Sequence, residues 1–412
     1  MAHPLIATTR PTEDDDWVVN SNDALRFHFF DPTNLSPASA KTILHNSPPF
    51  APVFTYPLFG LKEKIYGYKD LTMDLYFSQA ALSTYLQIRY SAQRPSIAQP
   101  TLQSAEPPTK RTRRTSDATA ETPEEILRQY VTIDSTDNVM DFLVQAKKAD
   151  AQFAPHGNQV FSYQLDGTDD PSVSYVVYKA NFATPGFADY HRRLRCFVLF
   201  YIEGASYIEE DPRWDVYTIY RKTIDEDADT ATYALVGFTT TYRFYHYPDQ
   251  ERPRISQFLI LPPYAGQGHG RTLYQMLYQQ WLADPVVYDV SVEDPSDLFS
   301  DLRDKCDLRY LLAQRVADGL QAPFSSDFIK KICRRWKLSQ RQASRCLEML
   351  LLRQLDPKDA QATRRYRLQV KKRLYQQNQD VLSTMEHEER VQKLHETFTL
   401  VDEDYRDMLD AL

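Results

Sequence analysis

Glycine is scarce in this chain, 11 of 412 residues, yet Gly266, Gly268 and Gly270 crowd into a single loop. A sequence so sparing of glycine needs these positions for backbone conformations, or for an approach to the backbone, that a Cβ forbids. The flanks define the element. "RISQFLIL", Arg254 to Leu261, is a short apolar run that stops at Pro262-Pro263 and predicts a buried strand. After the glycines, Arg271 to Asp284 places Leu273, Met276, Leu277 and Trp281 at helical spacing, which predicts an amphipathic helix. In a strand, glycine loop, helix unit, the free N–H groups at the helix start and the positive end of the helix dipole form a site for a diphosphate.

Three phosphate loops compete for the stretch. A P-loop needs G-x-x-x-x-G-K-[ST], but Ala265 stands at its first glycine and Arg271 at its lysine. A dinucleotide fingerprint needs G-x-G-x-x-G on the first strand of a parallel βαβ unit, whereas this loop reads G-x-G-x-G deep in the chain. The third pattern, Q/R-x-x-G-x-G/A, is matched at both glycines by Ala265-Gly266-Gln267-Gly268-His269-Gly270, with Ala265 in place of Gln or Arg. The loop thus resembles the pyrophosphate loop of the GNAT superfamily of acetyltransferases. A tight turn without a ligand is the alternative.

The length suggests two or three domains, and 42% hydrophobic residues with 27 Tyr and 21 Phe suffice for a sizeable core. No apolar run is long enough to span a membrane, and the amino-terminal "MAHPLIATTRPTEDDD" lacks the order of a secretory signal, so cytoplasm and nucleus are expected. Cys196, Cys306, Cys333 and Cys346 form no C-x-x-C pair and lack a histidine at metal spacing; reduced buried thiols and no metal are expected. A net charge of −8 disfavours general nucleic-acid binding and suits a basic partner.

The organisation predicted is α/β (α+β). An amino-terminal α/β domain spans 1–152, a core rich in antiparallel strands 153–305, and a helical carboxy-terminal domain 306–412. Stretches such as "FTYPLFG", "RCFVLFYIEG" and "PVVYDVSVED" read as strands. Residues 91–123, rich in Pro, Ser, Thr and Ala, read as a disordered insert. Within it, Lys110 to Arg114 fits either a nuclear-import signal or a solvated basic run. The stretch Asp225 to Asp229 reads as a hairpin turn. Arg334, Arg335, Arg364, Arg365, Lys371 and Lys372 in the last domain could suggest DNA contact, but with Asp and Glu interspersed they read as a solvated helix face.

Several further motifs occur in a fixed order: "YGYKDL", "YIEGASYIEEDPRW", "YHYPD", "RPRISQFLILPPYAGQGHG", "VSVEDPS" and "YRLQVKKRL". Together they are similar to the catalytic subunits of the type B histone acetyltransferases, over most of the chain outside the insert. The resemblance implies a GNAT core with acetyl-CoA as co-substrate. It implies that Phe258, Leu259 and Ile260 lie along the coenzyme's arm, that Ala265, Gly266, Gln267, Gly268, His269, Gly270 and Arg271 hold its pyrophosphate, and that Ser296, Phe299 and Arg303 line its other side.

Acetyl transfer to lysine needs a base, because the amine is protonated at neutral pH with a reference pKa of about 10.4. The resemblance implies Glu293 for that role, and Asp294 and Glu203 stand as helpers or substitutes. A plain strand-ending turn is the alternative for "EDP". By the same resemblance Trp214 and Tyr242, Arg243 and Phe244 contact the amino-terminal tail of core histone four, with Glu63, Lys64 and Ile65 as a further wall; a core position is the alternative for Trp214. The expected function is direct acetylation of tail lysines on newly made, free histone, with a WD-repeat β-propeller subunit as partner. The alternatives are a GNAT enzyme acting on another protein or small amine, and a non-catalytic histone escort that binds acetyl-CoA.

Overall fold

The computed structural model describes residues 15–33, 44, 46–94, 122–134, 136, 138–165, 167, 170–225 and 230–412. The basic run Lys110 to Arg114 and, of the turn expected at Asp225 to Asp229, residues 226–229 lie outside them. The chain divides into two compact units, Met1–Pro212 with Val216–Phe238 and Leu261–Pro263, and Arg213–Asp215 with Thr239–Ile260 and Tyr264–Leu412.

The first unit begins with eight short strands, β1 (Val18–Asn20), β2 (Leu25–Phe30), β3 (Pro49–Phe50), β4 (Lys64–Tyr66), β5 (Tyr68–Lys69), β6 (Thr72–Ser78), β7 (Thr84–Arg89) and β8 (Ala92–Gln93). Four of them form a sheet in the order β3-β2-β6-β7, with β2 and β6 parallel and Phe27 opposite Leu75. Helices α1 (Pro123–Tyr130) and α2 (Val139–Ala151) follow, then β9 (Asn158–Tyr163), β10 (Val173–Ala180), α3 (Phe187–Leu194) and α4 (Cys196–Tyr201). The unit takes in most of β11 (Trp214–Asp225) and the first half of β12 (Thr230–His246), and its second sheet runs β9-β10-β11-β12.

Three expectations are corrected here. "FTYPLFG" is no strand: Tyr56–Phe59 form one helical turn, with Pro57 in its first turn. "RCFVLFYIEG" is helical from Cys196 to Tyr201, with Cys196 to Phe200 all buried. A short apolar run buried on every side has no periodicity to separate strand from helix. Phe197 and Phe200 pack against the rings of Phe77 and Phe27 at 5.0 Å each, so the run plugs the four-stranded sheet. The insert is also narrower than 91–123: β8 pairs with β5, Arg94 lies over the Trp17 ring, and α1 starts at Pro123.

The second unit holds the rest of β12, β13 (Gln250–Ile260) and β14 (Ser291–Val292), in the order β12-β13-β14. "PVVYDVSVED" therefore yields only a two-residue strand, extended by isolated bridges at Val287 and Val290. Six longer helices, α5 (His269–Ala283), α6 (Asp297–Ala313), α7 (Ser326–Trp336), α8 (Gln340–Gln354), α9 (Ala360–Gln377) and α10 (His387–Asp410), and a single helical turn at Gln379–Leu382 complete the unit. The starts of α6, α7, α8 and α9 are written locally. Ser296, Ser325, Ser339 and Asp359 each accept a backbone N–H of the first turn. The fold is mixed α/β with a helical carboxy-terminal region, as the sequence predicts.

Cys196, Cys306 and Cys346 are buried free thiols and Cys333 is half-buried. Burial pushes the Cys196 and Cys306 thiols up to about 12, which keeps them protonated and unreactive. Among the described residues, no cluster of His, Cys, Asp or Glu could hold a metal ion, and no helix is long and apolar enough to cross a membrane.

Candidate active site

Strand β13 positions most of the site through its two-residue period. Pro253, Ile255, Gln257 and Leu259 are buried on one face, while Arg254, Ser256, Phe258 and Ile260 are half-buried on the other. Strand β14 runs parallel to β13 for two pairs, Arg254 with Ser291 and Ile255 with Val292. One more bond follows, from Glu293 N–H to the Ile255 carbonyl at 2.9 Å. Asp294 then takes φ 32°, Pro295 follows, and Ser296 caps α6. The two strands part at Glu293.

At the point of parting, Ser256 Oγ donates to Glu293 Oε2 at 2.6 Å. Glu293 and Asp294 are both exposed, so solvent and ligand can reach either carboxylate. Ser256 is the functional candidate that motif reading missed. Its signal was present: alternation along β13 places it on the face of Phe258 and Ile260. The hydrogen bond fixes one rotamer of the Glu293 carboxylate. Ser256→Ala is accordingly expected to lower kcat about tenfold, the scale of one hydrogen bond to a charged group, with the KM for acetyl-CoA unchanged; a fall in coenzyme affinity instead would place Ser256 in binding.

The glycines prove to have different jobs. Gly266 and Gly268 have φ 75° and 98°, the left-handed region that side chains avoid. Gly268 is the N-cap of α5 and supplies no side-chain cap, and the first turn carries no acidic residue. The start of this four-turn helix thus has neither a side-chain cap nor an acidic residue, a setting that suits an anion. Arg271 is exposed, and its Nη2 lies 3.8 Å from where a Cβ on Gly268 would stand. Gly270 is a packing glycine: a Cβ there would meet Leu302 Cδ1 at 2.9 Å, with Ile260 and Phe258 at 3.6 Å. Gly268→Val is expected to raise the KM for acetyl-CoA at least about tenfold by straining the cap, whereas Gly270→Val should chiefly lower the melting temperature by forcing α5 off α6. Isothermal titration and thermal melting of the two variants separate these outcomes.

The side chains expected around the coenzyme divide. Leu259 and His269 are buried, so only their backbones face a ligand, and burial lowers the His269 imidazole to about 4, leaving it neutral. Phe299 meets Phe258 edge-on at 4.9 Å and packs near Tyr274. Ser296 accepts the Phe299 N–H at 3.3 Å as the helix cap. Arg303 is buried, donating to the Val290 carbonyl at 3.3 Å, with Nε 3.6 Å from Asp307. Asp307 also accepts from Tyr274 and Gln342, tying α5, α6 and α8 together.

The expected substrate residues form an aromatic cluster. Trp214 meets Tyr242 edge-on at 4.9 Å, and Tyr242 lies 4.7 Å from Phe244. Trp214 is half-buried, so its ring is open on one side. Arg243 points to the opposite face and pairs with Asp215 at 3.1 Å, Glu251 at 2.8 Å and Asp284 at 3.6 Å, a structural anchor.

Within the first unit, Glu203 is exposed in the turn after α4. Glu63 has φ 51°, and its carboxylate accepts from Thr55 N–H, Tyr56 N–H and Asn22 Nδ2 at 2.8, 3.1 and 2.7 Å. Burial opposes its ionisation, but these hydrogen bonds prevail and hold the carboxyl below its ordinary value. Lys64 is exposed and Ile65 fully buried in β4.

Comparison with known proteins gives this arrangement a lineage. Residues 17–203 match the family model described as "Histone acetyl transferase HAT1 N-terminus", and residues 304–356 match "Fungal HAT1, C-terminal". The chain is 35% identical to a histone acetyltransferase type B catalytic subunit of Cryptococcus neoformans, over 96% of this chain and 98% of that protein. It is 36% identical to the protein of that name from Mycosarcoma maydis, over 88% and 83%, and 32% identical to that from Rattus norvegicus, over 88% and 87%. With matches along nearly its whole length, the chain belongs to the family of type B histone acetyltransferase catalytic subunits.

Proposed function

We propose that the enzyme transfers acetyl from acetyl-CoA directly to lysine side chains in the amino-terminal tail of newly synthesised, free core histone four, before chromatin assembly. The observation that carries this reading is the placement of two features at the two ends of one stretch of β13. The Glu293 carboxylate, held by Ser256, stands where β14 departs, and the uncapped start of α5 follows the strand's end.

The residues fit the co-substrate. The α5 N–H groups and Arg271 suit a diphosphate, and the β13 edge beyond Ile255 suits the amides of the arm. Glu293 accepts the proton from the lysine ammonium, and the neutral amine attacks the thioester carbonyl. A C–N bond forms, the C–S bond breaks, and the coenzyme leaves as a thiolate that takes up a proton. No residue of the chain is acylated. Asp294 and Glu203 act as helpers or substitute bases.

The Trp214, Tyr242 and Phe244 cluster supports contact with the aliphatic stem of a lysine or its neighbours in the tail. A WD-repeat β-propeller histone-binding subunit as partner, and residence in cytoplasm and nucleus, complete the proposal. Turnover of acetyl-CoA with a peptide of the histone four tail, against unrelated peptides and small amines, tests it. Saturation with the tail peptide alone is expected. Equal rates on small amines would replace it with a broader N-acetyltransferase.

A further inference from the structure

Helix α9 carries Arg364, Arg365, Arg367, Lys371, Lys372 and Arg373 and has no acidic residue along its length. Its inner face, Tyr366, Gln369, Val370 and Leu374, is buried, and Arg373 turns inward to Glu348. Among the described residues, the other five cations make no ion pair. These cations do lie on a solvated helix face, but the carboxylates expected among them stand outside α9. Like charges one turn apart repel. Desolvation, with the charge of Arg367, holds the Lys371 amine below its ordinary value.

The cations surround an apolar side chain. Leu368 is 53% exposed, and at helical spacing its neighbours are Arg364, Arg365, Lys371 and Lys372. Beside it, Arg367 and Lys371 form one wall of an open groove of about 580 Å³, whose other wall is α10 with His387, Val391 and His395. Val391 is 52% exposed, and Glu388 is the only carboxylate of the lining.

We propose that this face of α9 and the groove beside it bind an acidic, amphipathic segment of a partner protein. Carboxylates of that segment pair with Arg364, Arg367 and Lys371, and its apolar side chains cover Leu368 and Val391. Charge complementarity selects the sign of the partner, and the exposed leucine and valine select its class. A nucleic-acid backbone would meet the cations but leave both apolar side chains against water, and the net charge of −8 opposes a long polyanion.

Fluorescence anisotropy on the full chain tests the proposal with three probes: a labelled helix-forming peptide of about 20 residues, with leucine on one face and glutamate beside it, a scrambled peptide of the same composition, and a single-stranded DNA oligonucleotide. The helix-forming peptide is expected to bind saturably, and both Leu368→Asp and the double variant Arg364→Glu/Arg367→Glu should weaken it by about tenfold or more. The scrambled peptide should bind more weakly, and acetylation of a histone-tail peptide should be unchanged in both variants. If the double variant melts early, Leu368→Asp, a change at an exposed position, decides alone. Absence of saturable binding, full affinity in the variants, equal affinity for the scrambled peptide, or tighter binding of the DNA would each overturn the proposal.

Discussion

Glu293→Gln should lower turnover on a histone-tail peptide by about 10² to 10⁴, the usual contribution of a general base, with acetyl-CoA binding nearly unchanged. The amide keeps the shape of the side chain and can still accept from Ser256, so the loss isolates proton transfer from architecture. The residual rate should climb with pH, because a larger fraction of the substrate lysine then arrives already neutral. Asp294→Asn and Glu203→Gln should each cost less, and either one added to Glu293→Gln should cost more than Glu293→Gln alone if they substitute for it. Pre-steady-state rates across pH for the set discriminate the cases. Near-normal turnover in Glu293→Gln would transfer the role to whichever variant does lose it.

The largest expected effect on stability lies in the helical region. Glu348 on α8 is fully buried and accepts two bonds from Arg373 Nε, at 3.0 and 2.9 Å, and one from Tyr405 Oη at 3.0 Å. Arg373 also donates to Tyr405 at 2.9 Å, so α8, α9 and α10 meet at one carboxylate. Burial pushes the Glu348 carboxyl up to about 7, against the opposing pull of Arg373 and Tyr405. Arg373→Ala removes that pull from a carboxylate with no access to water. Breaking one partner of a buried pair costs about 3 to 5 kcal/mol, and denaturant unfolding followed by helix circular dichroism should register it.

The sign of the pH dependence follows. A carboxyl whose folded pKa is raised contributes stability in full below its unfolded value, near 4.5, and loses it as pH rises through about 7. In Arg373→Ala the carboxyl rises further, so the variant should lose more relative to the parent at pH 8 than at pH 5. Glu348→Gln should flatten the dependence between those limits. A loss independent of pH would mean that Arg373 acts through packing alone.

Much of the site was legible in sequence because its parts are local. The glycine cluster, the apolar run before it and the helical spacing after it lie within one stretch of chain, and short-range sterics decide each of them. Where local signals fail, a distant partner decides. Gly270 reads as one more loop glycine until Leu302 is found against it. "RCFVLFYIEG" has the composition of a strand until the aromatic rings of β2 and β6 enclose it as a helix. Nothing in "EKI" says that Glu63 will close a turn around Thr55 and Tyr56.

What the sequence determined by itself is the inventory: a strand, a glycine loop and a helix able to receive a diphosphate, an acidic turn at the end of a later strand, and helices whose caps are written beside them. These depend on spacing over a few residues, where backbone sterics and hydrogen-bond demand leave few options. Only the tertiary structure decided which polar groups are available for chemistry and which are consumed in holding the fold. Arg243 and Arg303 look in sequence like Arg271, yet Arg243 is drawn into Asp215, Glu251 and Asp284 and Arg303 into Val290 and Asp307, while Arg271 stays at the surface. Ser256 reaches Glu293 across 37 residues of chain. A charged or hydroxyl side chain takes its role from whatever long-range packing brings within hydrogen-bond reach, and that pairing is a property of the folded chain alone.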